Sequence, residues 1–541
     1  MASSVGGSVA PGPRFSGRNT PSGHGSAGQR RIKLLATGKM PNYPICWATT
    51  TLQRSQPLVG RPNRSRFFTG PLSGHARDGA TLTVHRGRPF MSTHHRTPSL
   101  GIRFVLAATL GACLLAASQA HAQLINQQVG GVSIDANGLV SKIQIDQLNS
   151  LKQDRLAAMQ PVPGALQDKG LRKVSLRQLE AAIKAHTQRG EPLSDEMRYL
   201  AGIQRIQYVF VYPEQQDIVI AGPAEGWKLD ALGEVVGETT NLPVLLLDDL
   251  LVALRSIEGA QSTGIQCSIE PTPEGQARTA EFTRRLRNPG ANIDPILRKL
   301  EEVAGQRNVI LKGVPTSSHF ARVLLAADYR MKRIAMGFDE SPIRQLPSYL
   351  QMVKTTGRTP RNMFPRWWLE PRYEAIVGDA DGLAYEIQGG SVKCMTEDQM
   401  LDAQGRRSAS GKTDPRTEKW AQLMTTHYDE LAAKDSIFGQ LRNCMDLAVL
   451  AALIERENLT AKAGWSMPLL MDASLPVEEY HAPQHVDSMA TAVNKKGAWV
   501  LSISGGVFIN PWAPLEQAKA GPQLAPLRAE AAAPGKQWWW N

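Results

Sequence analysis

Two adjacent carboxylates, Asp248 and Asp249, stand inside an apolar run and are the first candidates for acid–base chemistry. A general acid and a general base must reach the same substrate, but neighbouring residues of a helix do not face each other. Asp is also favoured in the first turn of a helix, where it caps amides and complements the helix dipole. The pair is therefore predicted to cap a helix. In a hydrolase, Asp248, Asp249, Glu370 and Glu374 are among the carboxylates that could converge.

Three histidines stand near acidic or hydroxyl residues. His481 and His485 are spaced like a metal pair on a helix, beside Glu478-Glu479, but Pro483 lies between them and disfavours a regular helix. They are predicted to be surface or loop histidines and not metal ligands. His319 follows two serines at a predicted helix start, and no serine elbow or cysteine motif accompanies it. It is predicted to pack or to cap.

Two loops share letters with phosphate and calcium sites. The run from Gly405 to Thr413 has five residues between its glycines, where a phosphate-binding loop needs four, so a solvated basic loop is predicted. The run from Asp379 to Gly382 lacks the remaining ligands of a calcium loop and is predicted to be a tight hairpin turn. No cofactor and no metal are expected from these patterns.

Trp367 and Trp368, beside Arg366 and Arg372, are the candidate ligand-contact aromatics. Aromatic faces and guanidinium groups together can receive a sugar or a peptide. In a strand, successive side chains point to opposite faces. At least one of the two tryptophans is therefore predicted to lie in the core.

A signal peptide is predicted over residues 91–122. Arg103 precedes the apolar run Phe104 to Ala117, which is too short to cross a bilayer comfortably, and Ala120 and Ala122 place small residues before a cleavage at Gln123. This order predicts export to the periplasm or the extracellular space.

Cys113 leaves a lipid-anchored alternative open, because an apolar residue and two small residues precede it. The apolar run continues past this cysteine, which favours simple cleavage. Met91 stands ahead of the signal, so residues 1–90 are interpreted as a disordered basic extension or a misassigned start. Whether these residues are translated is left open.

The net positive charge of the chain comes from its first 90 residues. The formal net charge is +12, and residues 1–90 alone carry 13 Lys and Arg against one acidic residue, Asp78. The 419 residues from Gln123 onward carry 46 Lys and Arg against 48 Asp and Glu. A nucleic-acid footprint needs basic charge on a folded face, so no nucleic acid is expected for the mature chain.

The mature cysteines are Cys267, Cys394 and Cys444, far apart and odd in number. This pattern disfavours a dense disulfide framework, but one bridge or three buried thiols both stay possible.

The mature length suggests two or three domains in a mixed α+β fold, with a central sheet, βα units, a β-meander and a C-terminal helical hairpin. A mixed α/β domain is predicted over 123–340, and the meander with the hairpin over 341–515. A disordered tail is predicted over 516–541. No apolar run after the signal is judged long enough to cross a membrane.

Several runs between about Val129 and Asn510 carry a resemblance to a known family. They are Arg205 to Pro213, Asp217 to Trp227, Pro243 to Arg255, Cys267 to Gly275, His319 to Ile334, Leu346 to Leu350 and Ala463 to Trp465. The chain resembles a planctomycete family of secreted proteins catalogued as a domain of unknown function. The resemblance implies an exported globular protein and transfers no catalytic or binding residue.

The sequence thus predicts an exported, non-catalytic binding or structural component of the cell envelope, with an envelope protein or a polysaccharide as its partner. The alternative is a secreted hydrolase that uses dispersed carboxylates. Two of these carboxylates and a histidine in one concave pocket would favour the enzyme. An exposed apolar patch around Trp367 or Trp368 would instead favour a partner-binding module.

Overall fold

A computed structural model describes residues 128–143, 145–286, 292–355, 365–401, 407–409, 413–493, 504–532 and 539–540. The predicted basic extension and the signal peptide lie outside these residues, with Cys113 and the cleavage residues Ala120, Ala122 and Gln123. Export, lipid attachment and the role of residues 1–90 therefore stay predictions.

Strands and helices alternate along the described chain, which confirms the mixed α+β class. The strands, in chain order, are β1 (Gln128–Val129), β2 (Val132–Ile134), β3 (Leu139–Lys142), β4 (Gly170–Ser175), β5 (Tyr208–Tyr212), β6 (Asp217–Ala224), β7 (Trp227–Leu229), β8 (Val235–Gly237), β9 (Ile265–Pro271), β10 (Gln306–Lys312), β11 (Pro365–Arg372), β12 (Val377–Gly378), β13 (Ala384–Glu386), β14 (Ser391–Leu401), β15 (Arg407–Ala409), β16 (His485–Asp487), β17 (Ser504–Ile509) and β18 (Lys519–Ala520). The helices are α1 (Ile145–Ala158), α2 (Leu176–Arg189), α3 (Asp195–Arg198), α4 (Leu247–Ser256), α5 (Pro273–Arg285), α6 (Asp294–Ala304), α7 (His319–Met336), α8 (Tyr349–Thr355), α9 (Pro415–Thr426), α10 (Tyr428–Lys434), α11 (Ser436–Arg456), α12 (Leu459–Ala463) and α13 (Leu524–Ala531).

The larger sheet has the strand order β1-β2-β3-β16-β10-β9-β17-β11-β14-β15. The pairs β3–β16 and β11–β17 are parallel, and the other neighbours are antiparallel. Strands from before and after residue 340 alternate within this sheet, so the boundary predicted there does not coincide with a break in the sheet.

A second sheet has the order β18-β12-β13-β5-β6-β4. Its central hairpin β5–β6 joins two β-prone runs separated by a proline turn, and its register pairs Val209 with Ile220. The predicted meander is divided between the two sheets: β11 and β14 pair in the larger one, while β12 and β13 belong to the smaller one. The turn from Asp379 to Gly382 joins β12 to β13, as predicted.

Three helices, α4, α7 and α11, pack together in the interior. In α11, Ile437, Leu441 and Met445 follow each other at intervals of four residues and are fully buried. The preceding arm of the predicted helical hairpin is broken at His427 into α9 and α10. By length and composition alone, α11 could cross a membrane, which corrects the expectation that no such run exists. Its most apolar stretch is entirely buried within the protein, as in a core helix.

Cys267, Cys394 and Cys444 are buried free thiols. This observation decides between the two alternatives that the sequence left open.

Residues 519–532 lie in the range where the sequence predicts a disordered tail, yet they form β18 and α13. Leu524 of α13 is buried in an apolar cluster with Phe210 and Val219 of the smaller sheet. Farther along, the carbonyl oxygen of Trp539 accepts a 2.8 Å hydrogen bond from the amide of Ser175. These partners are far away in sequence, so the composition of the tail does not reveal them.

Candidate functional site

A polar cleft of about 440 Å³ opens where the chain enters β5 and leaves β13. Two backbone hydrogen bonds hold its walls together: Ile387 N–H donates to the Gln207 carbonyl oxygen at 2.9 Å, and Glu374 N–H donates to the Gln388 carbonyl oxygen at 3.1 Å. We call this feature the Arg205 cleft. Its lining residues are Arg205, Ile206, Gln207, Pro223, Glu374, Glu386, Ile387, Gln388 and Gly389.

Arg205 is fixed in the cleft by a carboxylate of the central helix α11. Its Nε donates to Asp446 Oδ2 at 3.1 Å, and its Nη2 donates to Asp446 Oδ1 at 3.2 Å. Tyr373 also donates its hydroxyl hydrogen to Asp446, and the amide of Ile206 donates at 3.2 Å. The Asp446 side chain is fully buried, while 22% of the Arg205 side chain is exposed. Although burial opposes it, the attraction of Asp446 raises the pKa of Arg205, so this guanidinium stays charged.

Glycines make room for the Arg205 guanidinium. Gly389 and Gly390 both have positive φ, +84° and +46°, in the loop that leaves β13. A Cβ on Gly390 would lie 1.4 Å from Arg205 Nη2, and one on Gly222 would lie 1.8 Å from the Arg205 carbonyl oxygen. The backbone can approach this arginine so closely because these positions carry no side chain.

The rest of the cleft surface offers hydrogen-bond donors and acceptors. Glu374 is exposed, and Glu386 is half-buried and accepts a 2.8 Å hydrogen bond from Gln388 Nε2. Gln207 Nε2 donates to the hydroxyl oxygen of Tyr208 at 3.1 Å. A surface of this composition can bind groups that donate and accept at once, such as hydroxyls.

A second polar group lies in the interior, where α4 and α7 begin. His319 Nδ1 lies 2.9 Å from Asp249 Oδ2 and 3.0 Å from Oδ1, and both side chains are buried. Cys444 of α11 places its Sγ 4.0 Å from Asp249 Oδ2. Burial alone would lower the pKa of His319, but Asp249 raises it above the ordinary value. Burial raises the pKa of the Cys444 thiol well above its usual range, so it is not poised as a nucleophile.

Asp248 and Asp249 lie in the first turn of α4, as predicted, but neither side chain caps the helix. The N-cap is Leu246, and no side chain accepts a hydrogen bond there. Asp249 turns to His319, and Asp248 accepts the amide hydrogen of Glu478 at 3.2 Å. Both carboxylates therefore bind distant parts of the chain.

Residues 476–484, which we call the covering segment, lie across the His319 pair. The Tyr480 amide donates to the Ser317 carbonyl oxygen at 2.8 Å, and Arg322 Nη2 donates to the His481 carbonyl oxygen at 2.9 Å. The Arg322 guanidinium carbon lies 4.6 Å from the centre of the Tyr480 ring, and the His319 and Tyr480 rings are 6.0 Å apart. The carboxylates of Asp248 and Asp249 thus lie near His319, but this group is beneath the covering segment and outside the Arg205 cleft.

Of the predicted aromatic pair, Trp367 is fully buried, between Tyr349 at 5.0 Å and Trp420 at 4.6 Å between ring centres. Its Nε1 donates to the Thr417 carbonyl oxygen at 3.1 Å. Trp368 points to the other face, where it is half-buried with the Arg366 guanidinium carbon 5.3 Å from its ring centre. Neither tryptophan lines the Arg205 cleft.

The other candidate carboxylates and histidines are dispersed. Glu370 pairs with Lys393 at 3.3 Å, whereas Glu374 lines the cleft. His481 is exposed in the covering segment and His485 begins β16, so no helix joins them. Within the described ranges, no three His, Cys, Asp or Glu side chains group as a metal site requires. The glycines of the 405–413 loop lie outside the described residues.

Sequence reasoning missed Arg205, Asp446 and the Gly389-Gly390 pair as parts of a site. One signal was present: Asp446 begins the almost wholly apolar second half of α11, and a buried carboxylate requires a partner. That signal does not identify the partner, because Arg205 lies 241 residues away.

Residues 267–349 match a family model described as "Protein of unknown function (DUF1598)". The matched range includes β9, β10 and α7, and so contains His319 but not Arg205. Neither a curated protein nor a solved structure matches the chain. The part of the expected resemblance that concerns a domain of unknown function is confirmed.

Proposed function

We propose that this protein is exported to the cell envelope and binds a hydroxyl-rich ligand, an envelope polysaccharide, in the Arg205 cleft without a catalytic step. The observation that carries the proposal is the cleft itself, with a guanidinium fixed by a buried carboxylate at its wall. A side chain held in one orientation loses little conformational entropy when a ligand binds, which favours recognition.

The chemistry of the lining suits saccharide hydroxyls. Arg205, Gln207 and Gln388 carry donors, and Glu374 and Glu386 carry acceptors. A hydroxyl group both donates and accepts, so neighbouring hydroxyls of one sugar ring can use both kinds of partner. The cleft volume also falls within the range of about 300–1,000 Å³ typical of small-molecule sites. It would hold one or a few units of a longer polymer.

Export is supported by the order of charged, apolar and small residues before Gln123 and by the balanced charge after it. The measurement is the N-terminal sequence and intact mass of the protein from its native cells. A start at Gln123 supports export, and a lipid on Cys113 supports a membrane-anchored form. A mature protein that begins at Met1 contradicts the proposal.

Binding is tested with soluble oligosaccharides prepared from the envelope of the same cells, by titration calorimetry. The double variant Gln207→Ala/Gln388→Ala removes two donors from the cleft, and Glu258→Gln, an exposed carboxylate outside the lining, is the matched control. We expect the double variant to bind at least about fivefold more weakly, since each of the two lost hydrogen bonds contributes roughly 0.5–1.5 kcal/mol. Equal affinity in both variants would contradict the cleft as the binding site.

A secreted hydrolase is a second candidate, favoured by the presence of Glu374 and Glu386 in the same cleft. Many glycosidases use two carboxylates on either side of the bond that they cleave. Release of new reducing ends from the same oligosaccharides, abolished by Glu374→Gln or Glu386→Gln, would support this candidate. Binding without such release supports the binding protein.

A further inference from the structure

Positive and negative charges in the Arg205 cleft do not balance. Arg205 is the cationic residue of the lining, and both oxygens of Asp446 already accept hydrogen bonds from its guanidinium. An arginine neutralised in this way offers hydrogen-bond geometry but little net positive charge to a ligand. The charge that a ligand meets is therefore set by the two remaining ionisable groups, Glu374 and Glu386.

Neither of these carboxylates is neutralised by a cation. Among the residues that the structure describes, the side chain of Glu374 has no hydrogen-bond or ion-pair partner, and the Glu386 carboxylate contacts the Gln388 amide and the Tyr208 hydroxyl. Burial and then the nearby Glu386 raise the pKa of Tyr208, as expected beside an uncompensated carboxylate. Since Glu386 is half-buried, solvent screens its charge less than that of a free surface residue.

We infer that the ligand of this cleft carries a positive charge and is a saccharide with free amino groups, which Glu374 and Glu386 bind while Arg205 and the glutamines bind its hydroxyls. This inference rests on the proposed function, because it names the class of saccharide for the same site. An ammonium donates up to three hydrogen bonds, and a carboxylate only accepts, so the two groups are complementary. An N-acetylated or acidic sugar lacks this complement: the first is neutral, and the second repels both glutamates.

The experiment compares three soluble oligosaccharides of equal length by titration calorimetry, at a pH where the amines are protonated and the carboxylates ionised. The probes are a glucosamine oligomer, its fully N-acetylated counterpart and a galacturonic acid oligomer. We expect the glucosamine oligomer to bind about two- to fivefold more tightly than the N-acetylated one, the size of effect that one partly exposed ion pair supplies. We expect the acidic oligomer to bind most weakly.

Glu374→Gln and Glu386→Gln keep the shape of the side chains and remove their charges, so each variant should lose most of this preference, while Glu258→Gln keeps it. A measurement on the wild-type protein makes the test independent of how the variants fold. Added salt should weaken binding of the glucosamine oligomer and leave that of the N-acetylated oligomer nearly unchanged, because salt screens charge.

The outcomes separate the two proposals. Equal affinity for the glucosamine and N-acetylated oligomers would overturn the charge inference and leave saccharide binding in place. Tightest binding of the acidic oligomer would overturn it as well. Binding of none of these oligomers, nor of the native envelope oligosaccharides, would overturn both. A preference for the amine that survives in both glutamine variants would place the amine elsewhere and contradict the assignment to these two residues.

Discussion

Replacing His319 with glutamine removes the cationic partner of a carboxylate that lies in the interior. In the wild-type protein, Asp249 accepts from His319 Nδ1 at 2.9 Å, and both side chains are buried. Removing one partner of a buried ion pair typically costs about 3–5 kcal/mol, since the remaining charge stays without compensation. A glutamine amide can still donate one hydrogen bond, so we expect a loss of about 3 kcal/mol in the free energy of unfolding.

The assay is denaturant unfolding of the wild-type protein, His319→Gln, Asp249→Asn and the double variant. If the two residues act as a pair, the double variant will be less destabilised than the sum of the single ones, by about 1 kcal/mol or more. Hydrogen exchange should show the covering segment opening more readily in His319→Gln, because Tyr480 packs near this ring. Additive effects, or a loss below about 0.5 kcal/mol, would refute the interpretation of a coupled buried pair.

The pair of Asp249 and His319 also predicts that the free energy of unfolding depends on pH. Asp249 raises the pKa of His319 despite burial, so the folded state holds this proton more tightly than the unfolded state. The resulting stability is complete below the ordinary histidine pKa of about 6.5 and is lost as the pH rises through the raised value. Burial also raises the pKa of Asp248, which likewise makes stability fall with rising pH, in a more acidic window. His319→Gln should lack the histidine part of this slope, and an unchanged slope would contradict the account.

Three further perturbations test other parts of the structure. Trp367→Ala should lower the free energy of unfolding by about 3–5 kcal/mol and Trp368→Ala by about 1 kcal/mol or less, because only the first is fully buried, as thermal or denaturant unfolding will show. Gly390→Ala should displace the Arg205 guanidinium and weaken saccharide binding, whereas Gly164→Ala, where a Cβ has open space, should not; equal binding by both would contradict the glycine argument. The three buried thiols should react with a thiol reagent only after unfolding, and fast reaction of the folded protein would contradict their burial.

Elements with a strong local pattern were predictable from the sequence. The hairpin β5–β6 follows from two β-prone runs around Pro213, and α11 follows from its apolar face. Pairing between distant segments was not predictable, because local patterns carry no information about register. The parallel pairing of β11 with β17, which places Trp367 opposite Gly505, is one example. Another is the pairing of β13 with β5, which divides the expected meander between the two sheets.

The candidate site shows the same division. Glu374 was a candidate carboxylate and does line the cleft, but its partner residues there come from other parts of the chain. From the sequence, Asp249 resembled a helix cap. Its actual partner, His319, lies 70 residues farther along the chain and belongs to another helix, so the local sequence does not reveal it. The capping interpretation considers only the first turn of the helix. The Asp249 side chain instead pairs with His319, because leaving a buried charge unpaired costs more free energy than losing a helix cap.

The most direct test of the central claim is hydrogen–deuterium exchange of the protein with and without soluble oligosaccharides from the envelope of its own cells. Binding in the Arg205 cleft should slow the exchange of amides in residues 205–207 and 386–389, the two continuous segments of its lining. The covering segment should change little. Protection confined to other regions, or none at saturating oligosaccharide, would contradict the assignment of the cleft as a saccharide-binding site.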